Sequence, residues 1–295
     1  MRQLSCAVCA SSDYRVRYRE RVPPMESLDF SARRNPQKYH ARMVGCRHCG
    51  LIYSNPYFDE AVLRLLYRDA AYIDEQQLEN MGTDYLREFS RAAGTLDHSA
   101  RILEIGCANG FFLEKLYRAG YQNLRGVEPG KDAVSKAPPL IRDRIINDFF
   151  QPTLFAPESF DVVCCFQIFD HLPDPGRFLR DVRSLLRPGG LLMAINHNIR
   201  ALITRILGER SPMYDIEHIY LFDKSTIRQL FLANGFEVTR VSGLSNSYTL
   251  AYALKMFPLP DRLKTVIVQM LKGVLADVSL RIPAGNMVTV GRKRS

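Results

Sequence analysis

The 295-residue chain contains no run of 18 consecutive apolar residues, although 46% of its residues are hydrophobic. A membrane-spanning helix needs about 20 such residues, so no span is predicted. Residues 1–6 also lack the apolar stretch of a secretory signal, which favours a cytoplasmic protein. Because disulfides are rare in a reducing compartment, we expect the seven cysteines to be free thiols or metal ligands.

Internal repeats and low-complexity linkers are absent, and acidic residues are scarce at the N-terminus. Residues 1–50 hold ten Lys and Arg against four Asp and Glu, so they carry +6 of the net charge of +9. A basic segment of this kind is a solvated face or binds nucleic acid, an anionic small molecule or an anionic membrane surface. No recognisable RNA-binding motif lies in it, so nucleic acid is not the favoured partner.

Two C-x-x-C pairs lie in this basic segment, Cys6–Cys9 and Cys46–Cys49, separated by 36 residues. Each pair can place two thiolates on one tetrahedral ion, and four thiolates leave no open position for a catalytic water. The pattern therefore predicts a structural zinc site in a small ribbon. Too few residues surround it to build a core alone, so the metal would supply much of its folding free energy.

A strand, a tight turn and a helix are predicted for residues 101–113, where an apolar run leads into Glu104, Gly106 and Gly110. Glycines let the chain turn sharply and bring a ligand against the N–H groups of the following helix. The G-x-G-x-x-G pattern of dinucleotide sites is missing, because Ala108 stands at its middle position and the third glycine is absent. Glu128 ends the next strand, where a carboxylate can bind ribose hydroxyls.

These motifs resemble those of the class I S-adenosylmethionine-dependent methyltransferases, over about residues 80–295. The resemblance includes the downstream segments 159–175 and 185–190, and it departs from the usual pattern at Ala108 and Asp170. It implies that the cofactor binds at the ends of the first three strands and at the loop after the fourth. Residues there would contact its methionine end, its ribose and its adenine. The residues carried over as cofactor-binding are Glu104, Gly106, Cys107, Ala108, Gly110, Glu128, Asp148 and Gln167.

The resemblance implies an α/β fold with a Rossmann-like, seven-stranded methyltransferase sheet, helices on both faces and a small N-terminal zinc ribbon. We expect the ribbon at residues 1–57, a helical linker and cofactor lid at 58–98, and the methyltransferase domain at 99–295. Within the lid, Tyr67, Tyr72 and Tyr85 either roof the cofactor or belong to the core. Cys107, Cys164 and Cys165 are expected to pack as small hydrophobic side chains.

Candidate acceptor-side residues follow the fourth and fifth strands and lie in a later loop. The strand ends place His171, Asn196 and His197 at the ligand crevice. A Glu217–His218 pair resembles one found in sugar C-methyltransferases encoded among polysaccharide or natural-product genes. The resemblance implies His171, Glu217 and His218 as candidate catalytic residues, with a histidine as general base where the acceptor must lose a proton.

We therefore expect methyl transfer to a small-molecule acceptor. The first alternative is an RNA methyltransferase that uses the basic zinc module to bind RNA. The second is a non-catalytic binding protein on a methyltransferase scaffold, which the intact Glu104, Gly106, Gly110 and Glu128 argue against. An apolar stripe over residues 263–278, flanked by basic residues, predicts a helix packed on the domain, and a peripheral membrane contact is the less favoured interpretation.

Overall fold

The computed structural model describes residues 2–22, 39–68, 75–250, 253 and 278–294. Its main element is a seven-stranded sheet. The strands are β4 (Ile102–Ile105), β5 (Leu124–Val127), β6 (Ile145–Ile146), β7 (Phe160–Phe166), β8 (Leu186–His197), β10 (Phe236–Thr249) and β11 (Ser279–Lys293). They lie in the order β10-β11-β8-β7-β4-β5-β6, and β11 is antiparallel to both of its neighbours. This sheet confirms the predicted Rossmann-like fold.

Eight helices surround the strands in the described part of the chain. They are α1 (Glu60–Arg68), α2 (Glu75–Ala93), α3 (Phe111–Arg118), α4 (Lys131–Ser135), α5 (Pro139–Arg142), α6 (Pro175–Leu185), α7 (Leu202–Leu207) and α8 (Lys224–Ala233). The sequence predicts helices over residues 59–69, 75–93 and 223–234. The second prediction matches α2, and the other two are one residue longer at each end than α1 and α8. None of the helices of the described residues is long and apolar enough to cross a membrane.

Both faces of the sheet are packed by helices, as the alternation of side chains along β4 shows. Leu103 and Ile105 join one core cluster with residues of α6 and α8. Ile102, which precedes Leu103 and points to the opposite face, joins a second cluster with residues of α2 and α3. Successive side chains of a strand point to opposite faces, so a continuous apolar run is what a two-sided core requires.

The N-terminal segment forms a second sheet that is completed by the catalytic part of the chain. Strands β1 (Tyr14–Tyr18), β2 (Met43–Cys46) and β3 (Ile52–Ser54) are antiparallel, and β9 (Tyr220–Leu221) pairs with β3. Tyr53 and Tyr57 belong to the same core cluster as strands of the large sheet. The ribbon is thus continuous with the methyltransferase core, and the boundary at residue 57 stays a prediction.

Three predictions about cysteines and one about the C-terminal third can be compared with the structure. Cys107, Cys164 and Cys165 are fully buried in the apolar cores, in agreement with their expected role as small hydrophobic side chains. The final strand, expected over residues 286–290, is longer and spans β11. The amphipathic stripe over 263–278 lies outside the described residues except for Val278, and Tyr72 also lies outside them.

Candidate active site

A cavity of about 1120 Å³ opens at the carboxyl ends of the parallel strands. Its walls include residues from the ends of β4, β5 and β7, from the helices α1 and α2, and from the loop before β9. In an open α/β sheet, ligands bind outside the carboxyl ends of the strands. The cavity brings the predicted cofactor turn and the predicted acceptor-side residues into one continuous space.

The floor of the cavity is the turn after β4, whose backbone is left-handed at three positions. Gly106, Ala108 and Gly110 have φ values of 73°, 52° and 77°. A Cβ on Gly106 would lie 2.6 Å from Cγ2 of Ile168, so only glycine fits beneath that side chain. Ala108 adopts a conformation that costs an alanine about 1 kcal/mol, which the surrounding turn must offset.

Glu104 and Gln167 present buried oxygen atoms at this floor. Oε2 of Glu104 and Oε1 of Gln167 have no hydrogen-bond partner within the described residues, and both residues line the cavity. Burial, followed by the nearby Glu128 carboxylate, raises the pKa of Glu104 well above its usual value. An unsatisfied buried oxygen is costly, and a ligand with N–H or ammonium donors would satisfy both.

Glu128 closes the opposite side of the turn through two main-chain hydrogen bonds. Its Oε2 accepts from the N–H of Ala108 at 2.9 Å, and its Oε1 accepts from the N–H of Gly130 at 2.8 Å. Burial raises the pKa of Glu128, while these two N–H donors lower it. Each carboxylate oxygen has further lone pairs, so the side chain can still accept bonds from ligand hydroxyls in the cavity.

Three of the residues predicted to bind cofactor do not line the cavity. The side chain of Cys107 points into the core under the turn, and Gly110 begins α3. A Cβ on Gly110 would meet Cδ1 of Ile141 at 2.3 Å, so this glycine allows close packing of α3. The Asp148 carboxylate accepts from the N–H of Phe149, and Phe149 itself forms part of the wall. Their contacts with cofactor stay predictions.

His171 lies in the loop after β7, at the acceptor side of the cavity. Its Nδ1 is 2.8 Å from the hydroxyl oxygen of Tyr67 and 3.2 Å from the carbonyl oxygen of Glu217. Burial, with a further contribution from the neighbouring His218, lowers the pKa of His171 to about 3. The side chain is therefore a neutral imidazole at physiological pH. Tyr67 and Tyr85 also line the cavity, as expected of residues that cover it.

His218 and His197 lie next to His171. The ring centroids of His171 and His218 are 5.0 Å apart, and those of His197 and His218 are 5.1 Å apart. Nδ1 of His218 is 2.8 Å from the carbonyl oxygen of Met213, which can only accept, so Nδ1 carries the hydrogen and Nε2 keeps its lone pair. Burial and the neighbouring His197 lower the pKa of His218.

Asp170 lies beside these histidines, and the sequence motif did not predict it as a residue of the acceptor site. Its side chain is fully buried, and Oδ2 lies 2.7 Å from Nδ1 of His197. Burial raises the pKa of Asp170, but the hydrogen bond and the charge of His197 lower it by more, so the net shift is downward. The sequence did contain a signal for this contact. The Asp170-His171 pair follows β7, and the Asn196-His197 pair ends β8, which is its neighbour in the sheet. Asn196 is buried and does not line the cavity.

The four cysteines of the two C-x-x-C pairs meet as predicted. Their sulfur atoms all lie within 4.8 Å of one another, with Cys6 to Cys49 at 3.3 Å and Cys9 to Cys46 at 3.5 Å. In each pair the residue after the second cysteine has a positive φ and donates its N–H to the carbonyl oxygen of the first cysteine. The two knuckles therefore repeat one backbone conformation, which suits a shared tetrahedral ion.

Comparisons with known proteins agree with this fold and cavity. The model of a family described as "Methyltransferase domain" matches residues 77–241, more than half of the chain, and the chain belongs to this family. Among curated proteins, it is 29% identical over 168 residues to a ubiquinone biosynthesis O-methyltransferase of Aeromonas salmonicida, covering 51% of this chain and 70% of that protein. The enzyme of the same name from Ralstonia nicotianae is 25% identical, covering 60% and 78%.

Solved structures show the same fold. A putative methyltransferase from Bacillus halodurans superposes with a TM-score of 0.51 at 16% identity, covering 72% of this chain and all of the other. An S-adenosylmethionine-dependent methyltransferase from Archaeoglobus fulgidus gives a TM-score of 0.50 at 17% identity, covering 73% and 94%. The protein is an S-adenosylmethionine-dependent methyltransferase. The glycine floor, the two unpartnered oxygens and Glu128 fit that cofactor.

Proposed function

We propose that the protein transfers a methyl group from S-adenosylmethionine to a hydroxyl group of a small molecule. The observation that carries this proposal is the single cavity that joins the floor around Gly106 and Glu128 to the histidine cluster. The names of the relatives support an oxygen nucleophile on a small acceptor. The lining is mostly apolar, with a smaller share of polar groups, as is usual for small-molecule sites.

In this proposal each end of the cavity has its own task. Glu104 accepts from the amino group of the methionine moiety, Gln167 contributes its side-chain oxygen there, and Glu128 accepts from the ribose hydroxyls. When bound, S-adenosylmethionine supplies an electrophilic methyl carbon, so the protein has to align the acceptor oxygen and remove its proton. The residues that face the acceptor are His171, Glu217 and His218, and the proton acceptor is one of these three.

The experiment measures cofactor binding and turnover separately. We expect His171→Ala and His218→Ala to bind S-adenosylmethionine with nearly unchanged affinity by calorimetry. Turnover of a panel of small hydroxylated acceptors should fall about 10²–10⁴-fold for the residue that acts in proton transfer. His98→Ala is the matched control, because His98 is exposed and stacks on Tyr121, outside the cavity. Full activity in both cavity variants would exclude the two histidines as proton acceptors and leave Glu217.

The RNA alternative makes a different prediction for the basic strand β1. Arg15, Arg17 and Arg19 are exposed, so they could meet phosphates. An RNA enzyme would methylate transcripts, bind them less tightly as salt rises, and lose that binding when the three arginines are neutralised together. Turnover of a small acceptor that is insensitive to salt and survives the triple substitution would exclude it.

We also propose that Cys6, Cys9, Cys46 and Cys49 hold one structural zinc ion. Tetrahedral Zn–S bonds of about 2.3 Å place sulfur atoms about 3.8 Å apart, within the range that the four cysteines span. All four positions of the ion would be filled by thiolate, so the site has no catalytic vacancy. Its role would be structural, beside the sheet strand β2 that ends at Cys46.

A further inference from the structure

We propose that Asp170, His197 and His218 form a second metal site, which takes a divalent first-row ion such as Mn²⁺, Fe²⁺ or Zn²⁺. One donor atom from each of these residues lies within 4.8 Å of the other two. The site is at the acceptor end of the cavity and is separate from the four cysteines. Its existence rests on geometry, whereas the role given to it below rests on the proposed methyl transfer to a hydroxyl.

The distances fit one ion with little movement of the side chains. With metal–ligand bonds of about 2.1 Å, donors at right angles lie about 3 Å apart, and opposed donors lie about 4.2 Å apart. Oδ2 of Asp170 and Nδ1 of His197 are separated by 2.7 Å. The two imidazole rings are also neighbours, with a centroid distance of 5.1 Å. The three donors can therefore occupy one face of a coordination sphere.

Two further contacts favour an ion over a network of hydrogen bonds alone. His218 donates its Nδ1 hydrogen to the carbonyl oxygen of Met213, and metal-binding histidines commonly use their second nitrogen in this way. Asp170 is fully buried, yet its Oδ1 has no hydrogen-bond partner among the described residues. A cation beside this carboxylate would stabilise the charge that burial otherwise penalises.

The ligand set and its surroundings indicate the kind of ion and its use. Two imidazoles and one carboxylate suit Mn²⁺, Fe²⁺ and Zn²⁺, whereas Ca²⁺ and Mg²⁺ prefer oxygen ligands throughout. Three protein ligands leave coordination positions open. His197 and His218 both line the cavity, so the open positions face the space that the acceptor occupies.

Beside such an ion, an acceptor hydroxyl has a lowered pKa and loses its proton more readily. The proton passes to the carboxylate of Glu217, which also lines the cavity. An oxygen electron pair then forms the new C–O bond to the methyl carbon. The C–S bond breaks, and its electron pair stays on sulfur as S-adenosylhomocysteine is formed.

The test uses the whole chain and Mn²⁺. Thiolate ligands favour Zn²⁺ over Mn²⁺, so bound Mn²⁺ reports on the second site and not on the four cysteines. Free Mn²⁺ is followed by electron paramagnetic resonance during titration, and Zn²⁺ per chain is measured by elemental analysis. We expect one bound Mn²⁺ per wild-type chain and an affinity at least 10-fold lower in Asp170→Asn and in His197→Gln. His98→Ala should bind Mn²⁺ like the wild type.

The outcomes separate this proposal from the proposed function. Wild-type protein that binds neither Mn²⁺ nor more than one Zn²⁺ per chain would overturn the metal site, as would binding that survives both substitutions. Calorimetry with S-adenosylmethionine on the same samples reports whether each variant is folded and whether the cofactor site works. Cofactor binding and turnover without Mn²⁺ binding would refute the metal site and leave the proposed methyl transfer standing.

Discussion

Ser54 Oγ donates a hydrogen bond to the main-chain carbonyl oxygen of His218, 2.9 Å away. The contact joins the last strand of the N-terminal ribbon to a residue of the acceptor site, 164 positions later in the chain. Tyr57 makes a similar bond from its hydroxyl to the carbonyl oxygen of Ile216 at 2.5 Å. The ribbon therefore supports the loop that carries Glu217 and His218, and damage to the ribbon should reach the active site.

Loss of the four-cysteine site should destabilise the whole protein. We expect Cys46→Ser to lose one zinc ion per chain by elemental analysis and to lower the thermal midpoint by about 5 °C or more. A loss of about 3 kcal/mol or more accounts for such a shift in a protein of this size. Cys164→Ala, a substitution in the core, should keep its metal content. Unchanged metal and melting in Cys46→Ser would contradict the zinc proposal.

Gly106→Ala should cost more stability than Gly94→Ala. Both glycines have a positive φ, 73° and 60°, so an alanine at either position costs about 1 kcal/mol in backbone strain. At Gly94 no atom of the described residues lies within 4 Å of the added Cβ, whereas at Gly106 it would meet Ile168 at 2.6 Å. We expect Gly106→Ala to lose about 1–3 kcal/mol more in urea unfolding, as overpacked sites do. Equal losses would show that the turn relaxes.

Glu128→Ala should weaken binding of S-adenosylmethionine and of S-adenosylhomocysteine. Loss of charge-assisted bonds to two ligand hydroxyls corresponds to about 1.5–3 kcal/mol by calorimetry. The variant also loses its bonds to the N–H groups of Ala108 and Gly130, so its unfolding should be measured in parallel. Glu158→Ala, on an exposed residue that pairs with Lys293, is the control. NAD should not bind to the wild type. Wild-type affinity in Glu128→Ala would remove the ribose assignment.

Asp223 should make stability depend on pH at acid values. Burial raises its pKa, but the N–H and hydroxyl of Thr226 and the Arg200 guanidinium lower it, and the net shift is downward. A carboxyl with a lowered pKa in the fold contributes stability above its unfolded pKa of about 3.9, and that stability is lost as pH falls through the folded value.

The corresponding substitution is Asp223→Ala, which removes the N-cap of α8. We expect it to cost about 1–2 kcal/mol at pH 7 in urea unfolding and progressively less below about pH 4, where the wild-type carboxyl takes up its proton. Asp132→Ala, at an exposed pair with Lys136, should cost less than about 0.5 kcal/mol at either pH. A cost for Asp223→Ala that does not change with pH would contradict this account.

Local patterns in the sequence were sufficient for the elements, the turn and the cysteine pairs. The apolar run before Glu104 and the glycines after it predict a strand, a turn and a helix because backbone conformation there depends on adjacent residues. The bounds of α2 follow in the same way from helical periodicity. The resemblance to methyltransferases added the Rossmann-like, seven-stranded sheet, which the structure confirms.

The acceptor site and the attachment of the ribbon were decided only by tertiary structure. Asp170 follows β7, His197 ends β8, and His218 lies in the loop before β9. Their contact depends on β7 and β8 being neighbours and on that loop folding back over them. The pairing of β9 with β3 carries no strong local signal, because a two-residue strand has no periodicity to detect. Burial then set the pKa of His171 and His218, since desolvation depends on every group packed around a side chain and not on its neighbours in the chain.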